Sequence, residues 1–362
     1  MVGCSYSGLR AAVSRSRCPG TFFATYAASA PVQLQVNLDT FFDSIYHKLI
    51  DEQYTNCTRD LHTIMLHIDD QLSHTETASA IKQSLLGAGA EENGNGDFAL
   101  AIANIYSYFQ SYGIDGGAHS LASLCDYLEA PSTQKQALRG IGLTIDHAAS
   151  TLIERLASWP GLVKIVNDHF NTSCRVADAG VRAECELGKT ASDSGGISWT
   201  WQLCSELGLF ATQKPSLQSL VSRYMSLEYR KSLCVRQFPD AYSSGRLPDL
   251  PPVKKINQRT GGQAMQPSNV FWTAGEYDPW RELSPLAATS GSVRENLFSI
   301  SQIPPGCNVS TSNDTVFGYV LQDAQHCLDW TMGSHEAGIA RDHFARALRE
   351  WLPCFRVEEF ET

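Results

Sequence analysis

No apolar run in this chain approaches the roughly 20 residues that cross a bilayer, so no membrane partner is expected. Basic residues are in the minority. The 28 Lys and Arg face 38 Asp and Glu, a net charge of -10 over 362 residues. Phosphate backbones are held by clustered Lys and Arg, which excludes nucleic acid as an expected partner. No C-x-x-C pair occurs, and His62 and His67 miss the i, i+4 spacing that sets two ligands on one helix face. No metal and no cofactor are therefore expected. The first 20 residues carry Arg10, Arg15 and Arg17 without a continuous apolar core, unlike a secretory signal. Internal repeats and low-complexity tracts are also missing.

Cysteine, by contrast, is plentiful: 11 residues dispersed from Cys4 to Cys354. Without zinc spacing, this usage points to disulfides formed in an oxidising compartment. Asn56-Cys57-Thr58, Asn171-Thr172-Ser173, Asn308-Val309-Ser310 and Asn313-Asp314-Thr315 are N-glycosylation acceptors, in the same sense. The expectation is a secreted or vacuolar/lysosomal glycoprotein whose signal peptide is absent from this chain. Cys204 and Cys234 flank a helical stretch and are the expected disulfide. Cys4 is expected as a buried free thiol, which accounts for the odd cysteine count.

Hydrophobic residues at 43% and charged residues at 18% describe an ordinary globular protein. "LRAAVSRSR" has helix-forming composition, and "TFFATYAASAPV" has the aromatic and β-branched content of a strand. From about residue 38 the pattern changes. "LDTFFDSIYHKLIDEQ", "TRDLHTIMLHIDDQLSH", "FALAIANIYSYFQSYG" and "KQALRGIGLTIDHAASTLIERLASW" repeat apolar residues at i, i+3, i+4, as helices do. Strand-like runs return at "NVFWTAG", "LFSISQI" and "TVFGYVLQ", and "SHEAGIARDHFARALREWL" reads as a last amphipathic helix. Strands alternating with helices around a helical block imply an α/β fold. The domain reading is a core start at 1–37, a helical insertion at 38–235 and a C-terminal core at 236–362.

Three short stretches carry chemistry. Gly3-Cys4-Ser5-Tyr6-Ser7-Gly8 has the small-residue make-up of a nucleophile elbow, although Ser7 stands where strict G-x-S-x-G has glycine. "FWTAGEYDPW" places Asp278 just beyond an apolar strand, and "LQDAQHCLDW" places His326 after another. A serine nucleophile needs a base, and that base needs an acid to hold its tautomer. Chain order Ser, Asp, His is the order of the α/β-hydrolases. Asp329 is expected to brace the histidine loop rather than to serve as this acid.

These stretches, with their flanks, resemble the serine peptidase family of lysosomal Pro-X carboxypeptidase and dipeptidyl peptidase II, and within it the fungal prolyl endopeptidases. "GCSYSG" resembles the family elbow G-G-S-Y-[GS]-G. "WTWQLCSELGLF" resembles W-x-W-x-x-C-x-E, "INQRTGG" resembles N-x-x-x-G-G, "TAGEYDPW" is similar to N-G-x-x-D-P-W, and "HCLDW" to H-C-x-D-L. The resemblance runs from residue 3 to about 352. It implies an α/β-hydrolase core with a large helical cap insertion that shapes specificity for proline. It implies Ser5 as nucleophile, Asp278 as orienting acid, His326 as general base and the Tyr6 N–H as oxyanion donor. Trp280 is a candidate wall for a prolyl ring and Glu206 a candidate partner for a substrate amine.

The departures are Cys4 and Ser7 in place of glycine, Ala274 before Gly275 in place of asparagine, and Trp330 after Asp329. Relative to the family, the strands before the elbow, which supply a second oxyanion donor, are lacking, so the core is expected to be incomplete. Three functions stay open on the sequence: a serine peptidase on proline-containing peptides, a non-catalytic homologue, and an esterase or lipase on the same core.

Overall fold

A computed structural model describes residues 1–129, 149–176, 184–216, 218–288, 298–311 and 314–355. Its strands are β1 (Val2–Cys4), β2 (Thr25–Ala28), β3 (Asn37–Leu38), β4 (Phe210–Ala211), β5 (Val270–Gly275), β6 (Ser299–Ser301) and β7 (Thr315–Leu321). The chain divides into two compact units, Met1–Leu34 with Val253–Thr362, and Gln35–Pro252.

The first unit is built on a five-stranded sheet in the order β1-β2-β5-β7-β6. Every pairing in it is parallel. Parallel strands need helical crossovers, which cover the sheet faces, so inner strands lose their polar alternation. β2 and β5 are accordingly buried at every position. Helix Tyr6–Arg17 follows β1 and packs on β1 and β2. The final helix, His335–Trp351, brings Ala347 and Trp351 against Tyr26, Ala28, Phe271 and Phe317. Phe271 and Phe317 have ring centroids 4.8 Å apart, and Trp351 meets Phe317 edge-on at 5.9 Å. The buried Trp351 indole donates to Pro305 O at 2.8 Å, so its polar edge is satisfied. The α/β architecture expected from the alternating pattern is present.

The second unit is helical. Thr55–Leu72 buries Cys57, Leu61, Ile64, Met65, Ile68 and Leu72, the one-sided stripe of an amphipathic helix. Disulfides Cys57–Cys125, Cys174–Cys185 and Cys204–Cys234 cross-link it, the last being the pair expected from the sequence. Two differences from expectation have physical causes. The stretch 98–113 breaks into Asn95–Ala103, Asn104–Tyr106 and Phe109–Tyr112. At the break the Asn104 side chain donates to Leu100 O at 2.8 Å, a local bond that competes with the helical ladder. β3 and β4 form a two-residue parallel pair, too short to leave any periodicity in the sequence. Of the helix expected over 135–159, Ala149–Ser158 is helical, and 135–148 lie outside the described residues.

Glu129, buried at the end of helix Leu121–Glu129, gives this unit a pH dependence. Burial, then the negative charges of Asp60 and Asp126, push its carboxyl up to about 7, against a smaller opposing effect of Arg59. A carboxyl whose folded pKa is raised binds a proton on folding. Its contribution is therefore complete below about pH 4.5 and is lost as pH rises through about 7. Glu129→Gln is expected to raise the melting temperature at pH 7.5 and to flatten its dependence between pH 5 and 7 (about the titration range of this carboxyl). An unchanged pH profile in differential scanning calorimetry contradicts this assignment.

Candidate active site

β1 ends at Cys4 and the following helix begins at Tyr6, so Ser5 alone makes the turn. It does so at φ 59 and ψ -130, a left-handed backbone that residues with side chains rarely adopt. The turn is held by its neighbours. Ser5 N donates to Ala28 O at 2.9 Å, and Ser5 O accepts from Leu9 N at 3.1 Å. A Cβ on Gly3 would lie 2.2 Å from Ser7 O, and one on Gly8 would lie 2.7 Å from Ala28 O. The close approach therefore falls at positions 3 and 8, while Ser7 is exposed and its departure from the strict pattern meets no obstruction. Serine at a helix start usually caps it through its hydroxyl. Ser5 makes no such cap, and its hydroxyl sits beside the positive end of a 12-residue helix. Tyr6, the candidate oxyanion donor, is the first residue of that helix, where backbone N–H groups lack intrahelical partners.

Asp278 and His326 arrive from the carboxyl ends of β5 and β7. His326 Nδ1 lies 2.8 Å from Asp278 Oδ1, and Asp278 is 2% exposed. The same carboxylate oxygen accepts from Trp280 N at 2.9 Å, fixing its orientation. With Nδ1–H donating to the carboxylate, Nε2 is the basic nitrogen of the neutral ring. The two loops are laced together, since Glu276 N donates to Leu321 O and Tyr277 N to Ala324 O, both at 2.9 Å. Gly275 makes this lacing possible, because a Cβ there would lie 2.3 Å from Gln325 O and 2.5 Å from Ala324 O. Gly275→Ala must displace the backbone beside His326. We expect a loss of about 3 kcal/mol in urea unfolding, and a wild-type midpoint would contradict the packing described.

The elbow and the histidine loop are joined covalently. Cys4 is not a free thiol, contrary to the expectation from the sequence: it is disulfide-bonded to Cys327, with Cα atoms 6.0 Å apart. The reason is topological, as both loops leave the same end of the sheet and come within bridging distance. The unpaired cysteine is Cys18, which is exposed. Cys327 holds φ 63 and its N–H donates to Ser29 Oγ at 3.0 Å. The residue before Ser5 is thus bonded to the residue after His326. Sequence reasoning did not find Ser29 or this disulfide, although two cysteines each adjacent to a candidate catalytic residue were a usable signal.

The remaining candidates separate. The Trp280 ring centroid is 6.3 Å from that of His326. Glu206 belongs to the helical unit, exposed in the Leu203–Leu207 segment. Asp329 is buried, accepts from Tyr26 Oη at 2.5 Å, and its carbonyl accepts from Arg341 at 2.5 Å. Burial raises its pKa. It braces the loop after His326.

Residues 1–300 match the family described as serine carboxypeptidase S28. The chain belongs to the serine carboxypeptidase S28 family. This S28 chain is 24% identical to the human thymus-specific serine protease over 365 residues, 97% of the chain and 62% of the relative. Identity to its mouse counterpart is also 24%, covering 97% of the chain and 63% of the relative. The serine protease vicPa of Bipolaris victoriae is 27% identical over 171 residues, 45% of the chain and 28% of that protein. The chain thus spans less than two thirds of the length of these relatives. Ser5 and Asp278 lie inside the family match. His326 lies beyond it and is placed by its bond to Asp278.

Proposed function

We propose that this S28 chain acts as a serine peptidase on proline-containing peptides, through an acyl-enzyme formed on Ser5. The observation that carries the reading is the 2.8 Å bond from His326 to buried Asp278, next to a disulfide linking the flanks of Ser5 and His326. In the proposed sequence His326 Nε2 takes the Ser5 proton as Oγ attacks the scissile carbonyl. The Tyr6 N–H, at the helix start, donates to the oxyanion, a contribution of about 2.7–4 kcal/mol for one such donor. His326 then protonates the leaving amine, and water repeats the cycle on the acyl group. Asp278 holds the ring in the required tautomer and stabilises the imidazolium.

Trp280 supports the preference for proline. Its ring lies near His326, and a flat apolar face suits a pyrrolidine ring. The five disulfides support an oxidising location, secreted or vacuolar/lysosomal. Among the acceptor sequons, Asn171 is exposed in a left-handed turn after helix Pro160–Phe170 and is the proposed glycosylation site. A peptide-library digest read by mass spectrometry tests the reading. Cleavage beside proline is expected. Hydrolysis of acyl esters with no peptide cleaved would replace it with an esterase.

A further inference from the structure

Cys4, His326 and Cys327 each bring a metal-ligating atom to one place, all within 4.8 Å of one another. Among the described residues no other group of three such side chains is found. In the oxidised protein the two sulfurs are bonded together and are not available as thiolates. The disulfides differ in accessibility. Cys57, Cys125 and Cys174 have no exposed surface, and Cys185, Cys204 and Cys234 are buried as well. Cys4 and Cys327 are both half-buried. Solvent-borne reductant therefore meets Cys4–Cys327 and the outlying Cys307–Cys354 before the rest, and among the described residues only the former has a histidine beside it.

We propose that reduction of Cys4–Cys327 creates a binding site for a soft divalent cation such as Zn²⁺, with Cys4, Cys327 and His326 as ligands. A dithiol reductant attacks one sulfur, forms a mixed disulfide, and closes on itself to leave as a cyclic disulfide. Two electrons and two protons pass to the cysteine sulfurs. The cation then displaces the two thiol protons and binds two thiolates and a neutral imidazole, with water as fourth ligand. Tetrahedral coordination at about 2.3 Å to sulfur and about 2.0 Å to nitrogen sets ligand atoms about 3.5–3.8 Å apart. The imidazole and the two sulfurs lie within 4.8 Å of one another, and the sulfurs, bonded in the oxidised protein, separate by about 1.7 Å after reduction to reach that spacing. His326 Nδ1 is already engaged by Asp278, so Nε2 is the nitrogen left for the cation. A carboxylate on the other ring nitrogen is the usual second partner of a metal-bound histidine. The site would hold the very nitrogen proposed as general base, so binding would silence the enzyme until a chelator or oxidant restored it. That last consequence rests on the proposed peptidase reading, whereas the binding does not.

The test uses the whole chain and Co²⁺ as a spectroscopic probe. Mild dithiol treatment followed by peptide mapping establishes which disulfides have opened. We expect the reduced, desalted protein to bind one equivalent of Co²⁺ with a thiolate-to-cobalt charge-transfer band. The oxidised protein, the reduced protein alkylated with iodoacetamide, and the Cys4→Ser/Cys327→Ser variant are expected to lack it. The alkylated sample keeps the control available if the double variant fails to fold. Cys18 and Cys307–Cys354 persist in that variant, so an equal band there overturns the proposal. So does the absence of binding when mapping shows both thiols free, or a Cys4–Cys327 bond that stays closed while the buried pairs open. Fluorophosphonate labelling of the oxidised chain tests the peptidase reading separately, so the two failures are distinguishable.

Discussion

Ser5→Ala is expected to lower kcat on a susceptible peptide about 10⁶-fold, the scale at which removal of a triad nucleophile leaves only binding and oxyanion contributions. The expectation follows from local structure. Ser5 is the sole residue between β1 and its helix, it occupies a left-handed backbone at φ 59, and its hydroxyl does not cap the helix. Alanine enters that turn at no greater steric cost than serine, and its methyl replaces no cap. Circular dichroism and the urea midpoint should therefore stay close to wild type while turnover falls. A variant retaining more than a few per cent of wild-type kcat would remove Ser5 from the chemistry. The folded-state measurement separates that outcome from a trivial loss of structure.

Asp278→Asn is expected to cost about 10⁴-fold in kcat with KM nearly unchanged. Asp278 Oδ1 receives both the His326 ring and Trp280 N. An asparagine that keeps its oxygen on Trp280 N can still orient itself, but it lacks the negative charge that stabilises the imidazolium. If its amide turns an N–H toward Nδ1, the ring adopts the opposite tautomer and Nε2 carries the proton. In the first case the base is weakened and in the second it is lost, while the substrate surface is kept in both. Equal losses in kcat and kcat/KM should result, since the interaction acts in the transition state. A change confined to KM would mean that Asp278 positions substrate instead.

The order Ser5, Asp278, His326 could be read along the chain because Asp278 and His326 each follow a strand whose apolar run is visible in sequence, while Ser5 stands in a small-residue turn after only three strand residues. "NVFWTAG" and "TVFGYVLQ" become β5 and β7 because inner parallel strands are buried on both faces and so carry little polar alternation. The helix after Ser5 and the final helix were legible from composition and one-sided apolar spacing. The Cys4–Cys327 bond left a single signal, the place of each cysteine beside a candidate catalytic residue, since 323 residues separate the partners and the parallel order of β1, β2, β5 and β7 brings them together. The periodicity of 98–113 predicts one helix where the structure has three short pieces, because the Asn104 amide bonds Leu100 O, a three-dimensional detail with no periodic signature. The departure of the elbow from the strict pattern also has a three-dimensional explanation. The sequence shows Ser7 where a glycine is usual, whereas the backbone contact that demands glycine falls one residue later, at Gly8.

The most direct test of the account is the site of covalent capture. The oxidised chain, treated with a fluorophosphonate and digested, should yield one phosphonylated serine, in the N-terminal peptide at Ser5. Labelling should be abolished in Ser5→Ala and strongly slowed in Asp278→Asn. An adduct on any other serine, or equal labelling of wild type and Ser5→Ala, would contradict the proposed triad of Ser5, His326 and Asp278 on which the functional reading depends.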